Sequence, residues 1–270
     1  MRFQIAVAFT VCLARIASAA DNAIVIGPKA TEVTIDAWKD VVSSPTNGTT
    51  SKFKGFDTSK PYPGSEQEGW ELSIGVKEYF NVSNSNATAT IMSINPPSNG
   101  SFDNSWHFCL YTFNVNPRSA AQYYGGQKDS CSNLVAKECI DDIKKNAVKN
   151  SATDGCTAYQ TTPSCLRDIS EQSALVLSVP ANNASSVFTK NSPFYRRIDL
   201  GGEKAFKLAA SQPMLVVTVF GSSAKSDKAP TPEVACVLPN AKAKTSGSSK
   251  IACFTGWTVA TLAVALQFAL

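Results

Sequence analysis

Few residues of this chain are suited to acid–base chemistry, and His107 is the only histidine among 270 residues. Any mechanism that pairs a serine or cysteine nucleophile with an imidazole must therefore use His107. It stands between Trp106 and Phe108 in a predicted central strand, where a histidine among aromatic rings is more often structural than catalytic. The chain also lacks the G-x-S-x-G, H-E-x-x-H and phosphate-binding glycine motifs. We therefore assign no catalytic residue and no cofactor.

A pair of carboxylates is the other arrangement that could be catalytic, because a glycosidase needs two acids about 5 to 10 Å apart in space. Glu66, Glu68 and Glu71 lie near Trp70, whose indole could stack on a sugar ring. A solvated loop that leads into a strand is the simpler interpretation of these acids. We expect a non-catalytic protein, and we keep a carbohydrate-active, wall-modifying enzyme as the alternative.

Three other groups could belong to a surface site. Asp141 and Asp142 precede two lysines and fit the polar face of a helix. Residues 123–126 and 194–197 contain adjacent aromatic side chains that could bind a ligand. Packing in the core or in a hairpin is the simpler explanation of both aromatic pairs.

The cysteines indicate an oxidising compartment. Cys12 and Cys253 lie in hydrophobic terminal segments that we expect to be removed, and an even number of cysteines remains. Six cysteines suit three disulfides, with fifteen possible pairings. A zinc site is disfavoured because the chain has no C-x-x-C motif and a single histidine, so we assign no metal. The six are Cys109, Cys131, Cys139, Cys156, Cys165 and Cys236.

Four of these cysteines belong to two similar units within residues 129–170. Each unit has an Asp-Ser/Gly-Cys start and a later Cys-Ile/Leu-x-Asp-Ile segment. On one continuous helix, Cys131 and Cys139 would lie about 12 Å apart, beyond the roughly 7 Å that a disulfide tolerates. Either a loop precedes Cys139 or each cysteine pairs outside its own unit. We predict a small, disulfide-bonded helical subregion over residues 129–170, with the pairing left open.

Both ends of the chain carry targeting patterns. Arg2, the apolar run of residues 5–14 and the small residues 17–19 predict a signal peptide over residues 1–20. Residues 246–270 combine small residues, a polar spacer and an uncharged hydrophobic tail, which is the pattern of a glycosylphosphatidylinositol (GPI) addition signal. Ser246 or Gly247 is the expected attachment residue, and residues 247–270 are expected to be removed. A transmembrane helix is the alternative.

Removal of both signals would change the charge of the protein. Arg2, Arg15 and Lys250 would be lost, so 25 basic residues become 22 against 21 acidic residues, and the formal charge falls from +4 to +1. A nearly neutral chain gives no reason to expect nucleic acid as a partner. Contact with a membrane is expected through the lipid anchor.

Five Asn-x-Ser/Thr sequences are candidate N-glycosylation sites, and four of them fall within residues 47–101. Their clustering predicts a surface-facing, glycan-bearing part of the domain. The five acceptors are Asn47, Asn81, Asn86, Asn99 and Asn183.

Hydrophobic alternation predicts a β-rich domain. Trp70, Leu72, Ile74 and Val76 share one face of a strand, and further strands are expected at residues 88–94, 106–115, 175–179 and 213–220. We also expect a strand at residues 34–38, a loop over residues 43–69 and a hairpin turn at Gly201-Gly202. The predicted fold is mainly β, an antiparallel sandwich with the helical insertion, and mixed α+β is the alternative. Residues 21–221 would form one extracellular domain, and residues 222–246 would tether it to the anchor.

Taken together, these features resemble the uncharacterised GPI-anchored surface glycoproteins of filamentous fungi. The two Asp-Ser/Gly-Cys units, with Cys131 and Cys156, are similar to cysteine pairs in that group. The chain differs from the eight-cysteine CFEM surface domain in cysteine number and spacing, so heme or iron uptake is not implied. The resemblance implies display on the outer face of the plasma membrane or in the cell wall. It also implies a role in wall organisation, adhesion or recognition of a polysaccharide or a surface protein, with a shed effector as an alternative.

Overall fold

The computed structural model describes residues 23–82, 85–97, 100–116, 131–153, 155–171, 173–189 and 191–239. The signal peptide, the anchor segment, Asn99 and residues 123–126 lie outside the described residues. The strands are β1 (Ile24–Ile26), β2 (Asn47–Phe56), β3 (Glu66–Val82), β4 (Ser85–Asn95), β5 (Trp106–Asn114), β6 (Ser151–Ala152), β7 (Gly155–Cys156), β8 (Leu175–Pro180), β9 (Tyr195–Leu200), β10 (Met214–Ser222) and β11 (Thr231–Val237). The helices are α1 (Ile35–Ser43), α2 (Lys137–Lys149), α3 (Ala181–Val187) and α4 (Gly202–Ser211), with 3-10 turns at Ala30–Glu32, Cys131–Asn133 and Pro163–Cys165.

Two sheets form the framework. The first sheet has the strand order β1-β9-β4-β3-β2, and the second has the order β11-β10-β5-β8. Their pairings are antiparallel apart from β1 and β9, which run parallel. Of the described residues, 45% lie in strands and 24% in helices, so the prediction of a mainly β fold with antiparallel sheets is confirmed.

The inner faces of the two sheets enclose the main core. Trp70, Leu72 and Ile74 of β3 alternate toward it, and so do Trp106 and Phe108 of β5. This follows from the two-residue period of a strand, which sends every second side chain to the same face. Aromatic rings meet edge to face here, because the quadrupoles of the rings attract each other in this arrangement. The ring centroids of Trp70 and Phe220, for example, are 5.1 Å apart.

Helical layers cover the outer faces. On the second sheet, Tyr111 and Phe113 pack against Ile143 and Ala147 of α2. On the first sheet, Trp38 and Val41 of α1 pack against the outer face of the sheet, where the Trp38 ring stacks on Phe80 at 5.8 Å. The three-residue spacing of Trp38 and Val41 is helical. Thr34 caps this helix by accepting a hydrogen bond from the Ala37 N–H at 3.3 Å.

Three sequence-based expectations for local structure are wrong. Residues 34–38 form the start of α1 instead of a strand, and the predicted loop 43–69 contains β2. The glycines at 201 and 202 have φ angles of +131° and +58° and end β9, so that α4 begins where a hairpin was expected. Strand β2 was missed because it is an edge strand whose pairing with β3 makes up for its Ser-, Thr- and Gly-rich sequence.

The predicted tether is also wrong in part. Within residues 222–246, Thr231–Val237 forms strand β11, which pairs with β10 along its length. The domain therefore extends at least to Leu238, which is buried. The sequence concealed this strand because Pro232 removes an N–H donor, which an edge strand tolerates.

The six cysteines form three disulfides, as predicted. They join Cys109 to Cys156, Cys131 to Cys236 and Cys139 to Cys165. Each cysteine of the two similar units thus pairs outside its own unit. The first bond ties the β6–β7 hairpin to β5, the second ties β11 to the helical subregion, and the third joins α2 to the turn at Pro163–Cys165.

Candidate functional site

The acids around Trp70 do not form a site. The indole ring is fully buried, and its Nε1 donates a hydrogen bond to the Phe56 carbonyl at 3.2 Å. A buried ring cannot stack on a sugar. Glu66 forms an ion pair with Lys54 on the neighbouring strand. All three acids lie on β3 itself, so they are part of a strand and not of the solvated loop that the simpler interpretation expected.

Asp142 links two parts of the helical subregion. Its carboxylate accepts hydrogen bonds from the hydroxyls of Ser164, at 2.5 Å, and Thr162, at 3.2 Å. Asp141 pairs with Lys137 one helical turn away, at 2.5 Å. The Asp142 bonds hold α2 against the turn that contains Cys165, whereas the Asp141 pair lies within α2. Both acids therefore have structural roles here.

His107 lies on the outer face of the second sheet, next to a disulfide. Its Nε2 is 2.9 Å from the Ser178 hydroxyl and 3.9 Å from the Cys156 sulfur. His107, Cys109 and Cys156 come close enough to suggest a metal cluster. However, the two cysteines are joined in a disulfide, so neither offers the thiolate that a metal binds.

The strongest candidate site lies in the inner layer, at the end of the sandwich where β5 finishes and β10 begins. Thr88 and Thr90 of β4 share the core-facing side of the first sheet with Met92, and Thr112 and Asn114 of β5 share that of the second sheet with Leu110. The three Thr hydroxyls and the Asn114 Oδ1 are buried and have no hydrogen-bond partner in the described part of the chain. Such groups cost about 1–3 kcal/mol each when they stay unsatisfied.

Ionisable side chains join these groups. The Asn114 backbone N–H donates to Glu171 Oε2 at 2.8 Å. Arg197 stands directly opposite Thr90 in the β4–β9 ladder, and its guanidinium pairs with Asp199 at 2.8 Å. Tyr195 forms a side-chain hydrogen bond with Arg197 and lies close enough to Glu171 for an electrostatic interaction. We call the eight residues Thr88, Thr90, Thr112, Asn114, Glu171, Tyr195, Arg197 and Asp199 the polar cluster.

The cluster has unusual protonation properties. Burial raises the pKa of Glu171 to about 7, although the hydrogen bond from the Asn114 N–H acts in the opposite direction. Burial also raises the pKa of Tyr195 to about 12. Glu171 can therefore donate a proton at mildly acidic pH and accept hydrogen bonds above neutrality. The cluster offers donors and acceptors side by side, which is what polar groups such as sugar hydroxyls require.

Solvent reaches the cluster through Arg197 and Asp199, whose side chains are 28% and 23% exposed. A hollow of about 210 Å³ lies beside Asp199, between the end of β9 and helix α4, with Leu200, Lys204 and Leu208 in its wall. This volume is smaller than the roughly 300–1,000 Å³ of drug-sized ligand sites. The hollow is large enough only for a small group at the rim of the cluster.

This site was not predicted from the sequence. Residues 194–197 were singled out for exposed aromatics, but Phe194 and Tyr195 are buried in the core, as the simpler interpretation held. The sequence feature that could have revealed the site is the presence of threonines at core-facing positions. The alternation in β4 and β5 puts Thr88, Thr90 and Thr112 in core-facing positions, where polar residues are uncommon.

Comparison with known proteins gives no matching family model, no matching curated protein and no matching solved structure. The function must therefore be argued from the geometry of this chain. Among the described residues, no helix has the length and apolar character that a membrane span needs.

Proposed function

We propose that this protein is a GPI-anchored, N-glycosylated, non-catalytic surface domain that recognises a small hydroxylated ligand, such as a sugar unit of a wall polysaccharide. The observation that carries recognition is the polar cluster, in which donors and acceptors lie side by side and Arg197 and Asp199 are partly exposed. Arg197 and Asp199 would bond to the hydroxyl groups of a ligand, whereas the buried Thr hydroxyls lie too deep for direct contact. Fungal origin and roles in wall organisation or adhesion remain part of this proposal through the sequence resemblance.

Disulfide bonding supports an extracellular location. All six cysteines outside the expected terminal signals are paired, and each bond crosses between different elements. Such bonds persist in oxidising compartments and are rare in the cytosol. The anchor itself rests on the sequence of residues 246–270. Release of the protein from intact cells by a phosphatidylinositol-specific phospholipase is the expected result, and retention would contradict the anchor.

The candidate glycan acceptors are compatible with this proposal. Asn81 and Asn86 are exposed and stand directly opposite each other in the β3–β4 hairpin, while Asn47 and Asn183 are partly exposed. All four are open enough to bear a glycan. None of them belongs to the polar cluster, so glycans on these residues and a bound ligand could coexist.

Two substitutions at the exposed rim of the cluster test the recognition site. Asp199→Asn and Arg197→Gln each remove one charge of the rim ion pair and keep a polar side chain, so the fold should persist. We expect each variant of the full chain, made through the secretory pathway, to lose at least about tenfold in affinity for the glycan or wall polysaccharide bound on an array. Thr50→Val is the matched control, because Thr50 is exposed and bonds to Ser73 at 2.8 Å on a different face. Unchanged binding by both cluster variants would contradict the proposal.

One observation favours the enzyme alternative. Glu171 and Asp199 both lie near Arg197, and a carboxyl whose pKa lies near 7 is suited to general acid catalysis. A wall-modifying enzyme would release products from glucan, chitin or mannan, and Glu171→Gln would abolish that release. Binding without product favours recognition. A shed effector would instead accumulate in the medium without phospholipase treatment.

A further inference from the structure

The three disulfides differ in how far solvent can reach them. Cys131, Cys139, Cys165 and Cys236 are all buried, so a reagent has little access to their two bonds. In the remaining bond, Cys109 is buried but Cys156 is partly exposed. Among the described disulfides, the Cys109–Cys156 bond is thus the most open to an external thiol, from the side of Cys156.

The same bond is the one that has an imidazole beside it. His107 Nε2 lies 3.9 Å from the Cys156 sulfur, and a ring nitrogen lies within 4.8 Å of both sulfurs. The Ser178 hydroxyl holds the ring at 2.9 Å. His107 and Cys109 also line a hollow of about 80 Å³ together with Lys228, which adds a cation to the surroundings. Nearby cations and proton donors lower the pKa of a thiol and make it a better leaving group.

We propose that Cys109–Cys156 is a thiol–disulfide exchange site that an extracellular dithiol reduces reversibly. One thiolate of the dithiol attacks the Cys156 sulfur, which breaks the S–S bond and forms a mixed disulfide with Cys156. The electron pair leaves on Cys109, and His107 delivers the proton that turns it into a thiol. The second thiol of the reductant then attacks the first sulfur of the same reductant, which is bonded to Cys156 in the mixed disulfide. The bond to Cys156 breaks, Cys156 takes up the proton and leaves as a thiol, and the reductant leaves as a disulfide.

Reduction would free one small element and leave the rest of the fold in place. The bond ties the hairpin of β6 and β7 to β5, and the other two disulfides do not involve these strands. After reduction the hairpin keeps a hydrogen bond at its base, from the Tyr111 hydroxyl to the Asn150 carbonyl at 2.8 Å. The expected change is therefore local opening of β6 and β7. This inference does not depend on the ligand proposed for the polar cluster.

Graded reduction tests the site. The full chain, purified from the secretory pathway, is treated with dithiothreitol for increasing times without denaturant, alkylated, and mapped by peptide mass spectrometry. We expect Cys109 and Cys156 to be alkylated together, at least about tenfold faster than the other four cysteines. Equal rates for all three bonds, or earlier opening of another bond, would overturn the proposal.

A pair of substitutions tests the role of the imidazole. His107→Gln keeps a side chain that can bond to Ser178 but removes the proton donor, so we expect reduction of Cys109–Cys156 to slow about tenfold. Ser178→Ala leaves the imidazole and serves as the matched control, with a smaller effect. The near-ultraviolet circular dichroism of each oxidised variant should match that of the natural protein, which shows that the fold is unchanged before the rates are compared. A rate unchanged by His107→Gln would refute the assigned proton transfer.

Discussion

At the scale of single residues, the unusual chemistry of this protein lies in polar side chains that are held in the inner layer. Glu171 is the clearest case, because its carboxyl is partly buried and still accepts a hydrogen bond from the Asn114 N–H at 2.8 Å. Burial removes water from the carboxylate and disfavours its charged form, which raises the pKa of the carboxyl. Its titration should therefore be visible in the stability of the whole domain.

The pH dependence of stability gives a test of Glu171. Its folded-state pKa of about 7 exceeds the ordinary value of 4.5, so the folded state binds the proton more tightly. This contribution is complete below about pH 4.5 and is lost as the pH rises through about 7. Glu171→Gln stays neutral at every pH. We expect the variant to gain about 2–3 kcal/mol relative to the natural protein between pH 4.5 and 7.5, measured by denaturant unfolding.

A control separates this titration from a simple change in net charge. Glu68→Gln removes one negative charge at an exposed position of β3 and leaves the polar cluster unchanged. Its stability curve should run parallel to that of the natural protein. If the Glu171→Gln curve were also parallel, Glu171 would not be the group that titrates near neutrality.

At the scale of elements, short sequences with turn-like composition can begin a helix or form an edge strand. Gly201-Gly202 was expected to close a hairpin, yet it ends β9 and starts α4. An ion pair between Glu203 and Lys207, one turn apart at 2.6 Å, supports the helix from its exposed side. The positive φ angles of both glycines make this change of direction possible.

Substitution of Gly202 tests this account of α4. Its φ angle is +58°, and a Cβ atom there would meet nothing within 4 Å, so any cost comes from the backbone alone. Gly202→Ala should lower the free energy of unfolding by about 1–2 kcal/mol. Gly202→Asn should cost less, because asparagine enters the left-handed region more readily. Thermal unfolding of the pair measures the difference, and an alanine variant as stable as the natural protein would contradict it.

At the scale of the molecule, the protein is a two-sheet sandwich with helical layers on both outer faces, and one disulfide fastens its last described strand. Among the described strands, β11 pairs with β10 alone, and it is joined to the helical subregion through Cys131–Cys236. Cys139–Cys165 lies within the helical subregion and does not involve β11. The two bonds therefore fix different parts of the structure.

Removal of these bonds should have different local effects. Cys131→Ala with Cys236→Ala should lower the free energy of unfolding by about 2–5 kcal/mol and raise amide hydrogen exchange in β11 before the other strands. Cys139→Ala with Cys165→Ala is the matched control, with a loss of stability but a protected β11. Equal protection of β11 in both double variants would show that β10 alone holds this strand.

Much of the sandwich could be predicted from the sequence, because alternation is a local property. Trp70, Leu72, Ile74 and Val76 marked β3 correctly, and the apolar run at residues 213–220 marked β10. The strand at residues 34–38 and the tether over residues 222–246 were predicted wrongly. In both segments the tertiary partners, the first sheet for α1 and β10 for β11, override a weak local preference.

The sequence by itself determined the mainly β class, the positions of the central strands and the presence of enough cysteines for three disulfides. Only the tertiary structure decided which cysteines pair, because pairing depends on distances between residues up to 105 positions apart. The same holds for the polar cluster, whose members come from β4, β5 and β9 and from the chain that precedes β8. Hydrophobic periodicity predicts which face of its strand a side chain occupies. It does not predict which face of another sheet will pack against it.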